Sequence, residues 1–233
     1  MRRNIGRRAA LGRMSAVAAV AAGALAVTGC GQTQFGAAAL YDNQQISTAK
    51  LAAEVSNLNA GYQANKSRLQ IQYTQADMPR QVLSWMLRFA AAEQAARRAG
   101  IKVTPAEAQA QLAAETVRAR QSGDTLAQAA VLNGLPPDMR PELGRWIAIQ
   151  LKLQAELDHG VLPKTTGAQQ ALIKNVSRVQ CLAAKSLHIQ VNPQYGAYDF
   201  RQLSVVPVPN KLAAPPGMGK ATASPAPNAS SRC

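Results

Sequence analysis

Val82-Leu83-Ser84-Trp85-Met86-Leu87-Arg88-Phe89-Ala90 is the stretch on which the fold turns. Val82, Leu83, Met86, Leu87, Phe89 and Ala90 recur three and four positions apart, the period of one buried helix face rather than the alternation of a strand. Pro79 suits the first turn of that helix, where the amide it lacks would be unpaired anyway. Gly100 is placed to end it in a left-handed cap. The next start follows at once: in Thr104-Pro105-Ala106-Glu107 the threonine hydroxyl and the glutamate can each satisfy an amide of a first turn, and Leu112 and Val117 carry this third helix to about Gln121.

Downstream, Gly123-Asp124-Thr125 breaks the chain and caps a short helix over 126–132, closed by Asn133-Gly134. After Pro136-Pro137 a longer helix runs to about Leu157 on Leu143, Trp146, Ile147, Gln150, Leu151 and Leu153. Residues 158–167 read as a linker. A last helix over 168–185 carries Leu172, Ile173, Val176, Val179 and Leu182 on its face. Leu187-His188-Ile189-Gln190-Val191 then alternates as a strand, halted by Asn192-Pro193. Upstream, Ser47 is an N-cap for a helix over 48–64 with Leu51, Val55, Leu58 and Tyr62 on one face. Before it, the apolar run 37–41 ends at the turn signal Asp42-Asn43, and Ile46 returns before the cap. The expected architecture is mainly α, closed by the pairing of an N-terminal and a C-terminal strand, since two strands are too few to stand alone. The domain spans 37–206, and the proline- and alanine-rich tail 207–233 is expected to be disordered.

The chain opens on Arg2, Arg3, Arg7, Arg8 and Arg13, followed by small apolar residues over 14–28. That run has the length of a signal core and falls short of the ~20 residues a spanning helix needs. Val27-Thr28-Gly29-Cys30 stands directly after it and resembles the lipobox of bacterial lipoprotein signals. The resemblance implies a signal peptide over 1–29, a diacylglyceryl group on the Cys30 thiol, a short tether over 30–36, and a place on the extracytoplasmic face of the cell membrane. Arg7-Arg8 loosely resembles a twin-arginine signal without its usual aromatic-leucine step, so the export route stays open.

Of the formal +14, five charges precede Cys30 and no acid does, leaving 14 − 5 = +9 on about 200 residues. Such a balance fits anionic head groups and cell-wall polymers. Nucleic acid is not expected, because no aromatic platform for bases accompanies the charge and the basic residues are spread along the helices. Alanine and glutamine are abundant and aromatics make up 4%, which favours helices over a β-sandwich. Outside the cytoplasm Cys181 and Cys233 can pair, but spacing alone does not decide it, and Cys181 equally reads as a small buried hydrophobe.

Little in the chain points to catalysis. His159 and His188 are the only histidines, without carboxylates or cysteines at ligand spacing, so neither metal nor cofactor is expected. Cys181 has no marked base, as a nucleophile would need. Gly217-Met218-Gly219 lacks the strand and helix that flank a phosphate loop. What remains is apolar surface. Met78, Trp85, Met86, Phe89, Trp146 and Ile149 are candidates for a groove that holds unfolded chains, where flexible and aromatic side chains adapt to many sequences. The same spacing also serves a core.

Several steps in order resemble the N-terminal chaperone domain of SurA-type periplasmic folding factors. They are Ala37-Ala38-Ala39-Leu40 through Asp42, then Ile46-Ser47 and a helix with Leu51 and Val55; the helix from Val82 to Gly100 with Ile101-Lys102-Val103-Thr104-Pro105-Ala106-Glu107; and Asn133-Gly134-Leu135 before a long helix. The closing Val191-Asn192-Pro193-Gln194-Tyr195-Gly196-Ala197-Tyr198-Asp199 is similar to the end of actinobacterial lipoproteins that carry this domain. Many relatives add a parvulin prolyl-isomerase module of about a hundred residues. Here 75 residues follow Asp158, and one helix, a strand and the tail take them up. The resemblance therefore implies a chaperone-like lipoprotein that binds unfolded exported polypeptides without enzyme activity; the alternative is an envelope lipoprotein that binds one dedicated partner. The oligomeric state is left open.

Overall fold

The computed structural model describes residues 36–160, 164–208 and Cys233. The expected signal peptide, the Cys30 anchor and all of the tether before Gly36 lie outside the described residues, as does the tail over 209–232. The described residues belong to one unit, Gln34–Cys233.

A β-hairpin comes first, β1 (Ala37–Tyr41) and β2 (Gln44–Ser47), and helices α1 (Thr48–Asn65), α2 (Met78–Arg98), α3 (Pro105–Gln121), α4 (Leu126–Leu132), α5 (Arg140–Leu157) and α6 (Thr166–Ser186) follow. Short strands β3 (Gln190–Val191), β4 (Ala197–Asp199) and β5 (Ser204–Val206) end the described fold. Sheet order is β2-β1-β3, all antiparallel, with Ala39 opposite Val191 and Leu40 opposite Gln190. The N- and C-terminal strands thus pair, and the fold is mainly helical.

α2 is the central element. It is buried on most sides, by Val82, Leu83, Trp85, Met86, Leu87 and Phe89 in its first half and by Ala91, Ala92, Ala95 and Ala96 in its second. More than half of its residues are buried, so the helix runs through the fold rather than along its surface. The large side chains of its first half meet α1, the sheet and β5 in the main core. The alanines of its second half let helices approach closely, and a smaller core forms there with Val103, Ala148, Ile149, Leu153 and Ala183. Gly100, with φ +69°, closes α2: its amide donates to Arg97 O and that of Ile101 to Ala96 O, the paired bonds of a left-handed cap. Thr104 accepts from the Glu107 amide while Glu107 accepts from that of Thr104, so the capping box stands as read.

Four differences from the sequence reading have identifiable causes. The segment before α1 is a hairpin rather than one strand, because Asp42 adopts a left-handed φ of 47° and turns the chain back through Gln44. The strand expected over 187–191 keeps only Gln190 and Val191: α6 runs on to Ser186, Leu187 caps it, and His188 turns left-handed with φ 49°. Leu187 and Ile189 still bury their side chains, so the alternation was core packing without ladder pairing. The β4–β5 hairpin was not anticipated. It is pinned to α2 by buried Ser84, whose hydroxyl donates to Arg80 O at 2.6 Å and accepts from the Val205 amide at 2.8 Å. The linker 158–167 is also shorter than expected, since Thr165 caps α6 through the Ala168 amide.

Candidate functional site

Two helix stripes face one another across a cleft. On α2 the positions Met86, Phe89, Ala90, Glu93 and Arg97 follow the i, i+3, i+4, i+7, i+11 pattern, and on α5 Glu142, Arg145, Trp146 and Ile149 follow the same period. The sheet closes one end through Tyr41, Asp42, Gln44 and Ile46, with Leu187 beside them, and the enclosed volume is about 290 Å³. The floor is apolar and the rim is charged.

Aromatic packing sets the separation of the helices. Trp85 meets the edge of Trp146 with ring centres 5.7 Å apart and lies 5.6 Å from Phe89, distances at which offset and edge contacts attract. Trp85 Nε1 donates to Asn133 O at 2.9 Å, fixing the ring from behind, and Arg88 covers its other face at 4.5 Å. At the rim Arg145 grips Glu93 with Nε and Nη2, while its Nη1 donates to Val103 O at 2.9 Å. A bidentate pair with a third bond holds both side chains in place. Burial raises the Tyr41 phenol above its ordinary pKa, with Arg97 opposing it. Burial also lowers the Arg88 guanidinium, opposed by Tyr198.

The six groove candidates divide. Met86, Phe89, Trp146 and Ile149 converge on this cleft. Met78 does not: it is 1% exposed and faces a separate depression with Leu51, Val55 and Tyr195. Trp85 stands behind the cleft in the main core. The expectation of one groove built by all six is corrected for these two, because α2 is buried on several sides and its apolar residues face different neighbours. Ile149, also 1% exposed, is floor rather than surface. Lone-sequence reading missed Tyr41, Glu93, Arg97 and Arg145. Glu93 and Arg97 continue the Phe89 stripe by one and two turns, a signal present in the sequence; the return of the sheet onto α2, which brings Tyr41, is not periodic and left none.

Cys181 and Cys233 form a disulfide. Among the described residues no three of His, Cys, Asp and Glu stand together as a metal site, and no helix is long and apolar enough to cross a membrane. No known family model, curated protein or solved structure matches the chain.

Proposed function

We propose that the chain is a membrane-anchored extracytoplasmic lipoprotein that binds unfolded exported polypeptides, held at the membrane by lipid on Cys30. The observation that carries this reading is the convergence of Met86, Phe89, Trp146 and Ile149 on one open, charged-rimmed cleft. An apolar floor takes side chains of many shapes, and the rim lets the bound segment keep its polar groups solvated. The Cys181–Cys233 bridge supports an oxidising compartment outside the cytoplasm. The order of strand, helices and closing strand supports kinship with the SurA-type N-terminal domain, acting by binding without catalysis.

Light scattering from an aggregating denatured protein tests the reading. The full chain suppresses the signal at molar excess, and Ala90→Arg, which fills the cleft from its wall, abolishes the effect. An undiminished signal at molar excess refutes it. One observation favours the alternative of a single dedicated partner. The cleft sits at the small end of ligand-sized pockets, roughly 300–1,000 Å³, and the Glu93–Arg145 clamp gives its rim a fixed charge pattern. A pull-down dominated by one envelope protein, without affinity for denatured chains, selects that reading.

A further inference from the structure

α6 carries charge of one sign. From residue 159 to residue 198 the chain holds Lys164, Lys174, Arg178 and Lys185, while all 12 of its acids lie outside that span. At 3.6 residues per turn Lys174, Arg178 and Lys185 fall within ~40° of one another around the helix axis, so they form one stripe. Lys174 and Arg178 are exposed and Lys185 is half-buried. Among the described residues none of the three joins an ion pair. α2, which packs against α6, has a single acid, Glu93, and Arg145 grips it.

An apolar side chain is set into this stripe. Leu182 stands four positions after Arg178 and three before Lys185, neighbours on a helix surface, and is 46% exposed. Arg98 reaches over from the end of α2, its Nη1 donating to Leu182 O at 3.4 Å, and brings a fourth cation to the same place. Cations attract any polyanion, but the leucine among them discriminates. A wall polymer or a nucleic-acid backbone offers it no apolar medium. The boundary of a bilayer suits both, with phosphates for the cations and acyl chains for the leucine.

The N-terminal anchor puts such a surface close by. Gly36, where the tether meets the fold, lies six residues before Asp42, whose amide donates to Leu187 O at the end of α6 at 2.7 Å. That is about 20 Å of strand at ~3.3 Å per residue, and the six residues from Cys30 to Gly36 reach about as far at most.

We propose that the outer face of α6, built by Lys174, Arg178, Leu182 and Lys185 with Arg98 beside them, docks on an anionic phospholipid bilayer and fixes which side of the domain meets the membrane. This rests on the reading of the chain as a lipid-anchored protein and extends it from the anchor to the folded domain.

The test uses the full chain with Leu182→Trp, or with Val117→Trp at a comparably exposed position on α3, on vesicles of phosphatidylglycerol or phosphatidylcholine with brominated acyl chains, which quench a tryptophan that enters them. Whatever holds the N-terminus to the vesicle is common to both variants, as are Trp85 and Trp146. Quenching is expected at 182 on phosphatidylglycerol, and neither at 117 nor on phosphatidylcholine. It should vanish in ~1 M NaCl, where charges are screened beyond ~3 Å. Lys174→Gln, Arg178→Gln and Lys185→Gln together should weaken the docked state on the order of a hundredfold, at roughly fivefold per charge near an anionic surface. Lys66→Gln, Arg68→Gln and Arg120→Gln together, the same change of charge on other helices, should leave it nearly unaltered. No quenching at 182, equal quenching at 117, or equal losses in the two triple variants overturns the proposal. Tighter binding to soluble poly(glycerol phosphate) than to vesicles at equal phosphate names a wall polymer and overturns the assignment to lipid. The mass of the Cys30 peptide is measured alongside. Lipid on Cys30 without quenching at 182 overturns the docking face and leaves the anchor standing, whereas the absence of both overturns both.

Discussion

Cutting the Cys181–Cys233 bridge is the perturbation whose size follows most directly from the structure. Cys233→Ser is the cleaner half, because Cys233 is exposed whereas Cys181 is buried against the helices. Serine at 233 therefore removes the cross-link with little loss of packing. The bridge spans a sequence separation of 52 residues, and a loop of that length restricts the unfolded chain by about 4 kcal/mol at 25 °C in the chain-entropy account. That is a large share of the roughly 5–15 kcal/mol that holds a domain together. For a body of this size each kcal/mol moves the midpoint by about 2–4 °C, so a fall on the order of 10 °C is expected. The assay is thermal unfolding followed by circular dichroism, on the oxidised protein, the same protein in dithiothreitol, and Cys233→Ser. Reduction should bring the first down to the third and leave the third unmoved. Equal midpoints for oxidised and reduced protein, or a digest in which the Cys181 and Cys233 peptides run separately without reductant, would refute the reasoning. The support the bridge lends to an extracytoplasmic site would fall with it.

Gly144→Ala tests the α3–α5 contact: a Cβ there would sit 2.5 Å from the Ala108 carbonyl oxygen, and the overpacking should cost about 1–3 kcal/mol in a urea titration. Ser84→Ala takes the acceptor from the buried Val205 amide; a loss of about 1–3 kcal/mol should be accompanied by faster hydrogen exchange confined to the β4–β5 hairpin. Hydrogen bonds from Lys152 and from the Thr104 amide hold Glu107 down from 4.5 to about 2. A depressed carboxylate stabilises above its unfolded pKa and loses that contribution as pH falls through the folded one. The Glu107 carboxyl resonance should therefore titrate near 2, and Glu107→Gln should flatten the acid limb of stability between about pH 4.5 and 2.

Helices were legible where composition and caps agreed. Thr104 with Glu107, and Thr125 with Gln128 at the start of α4, place amide acceptors at fixed offsets, so those boundaries follow from local chemistry alone. The pairing of the two ends was also readable, since apolar strand-like runs at 37–41 and 187–191 had no other partners. The β4–β5 hairpin was not readable. Its three-residue strands are too short for periodicity to register, and they exist because a serine on α2, 121 residues away, accepts the Val205 amide. The candidate site was half readable for a related reason. Spacing shows which residues share a helix face, but α2 buries several faces at once, and only the packing of α5 and the sheet decides that Met86 and Phe89 face a cleft while Met78 and Trp85 do not.

The closing sheet has a second consequence, because it forms one wall of the cleft. The Asp42 amide donates to Leu187 O at 2.7 Å, and both residues line the site. Farther along, Asn192 donates its backbone amide to Ala38 O at 2.9 Å and its side-chain Nδ2 to Ala37 O at 3.1 Å. The opposite wall is fixed by different means, the Trp85–Trp146 contact and the Glu93–Arg145 clamp. Few hydrogen bonds hold β3 to β1, whereas the helix wall is set by interlocked rings, so the sheet is the more easily opened wall of the cleft. Asn192→Ala removes the side-chain tie alone, at about 0.5–1.5 kcal/mol for a partly exposed bond. The Asp42 and Leu40 amides should then exchange several-fold faster while tryptophan emission stays unchanged, since the two indoles are held on the helix wall by each other and by Asn133 O. Faster exchange spread evenly over α2 and α5 would mean that the two walls open together, and the sheet would then not be the more easily opened side of the cleft.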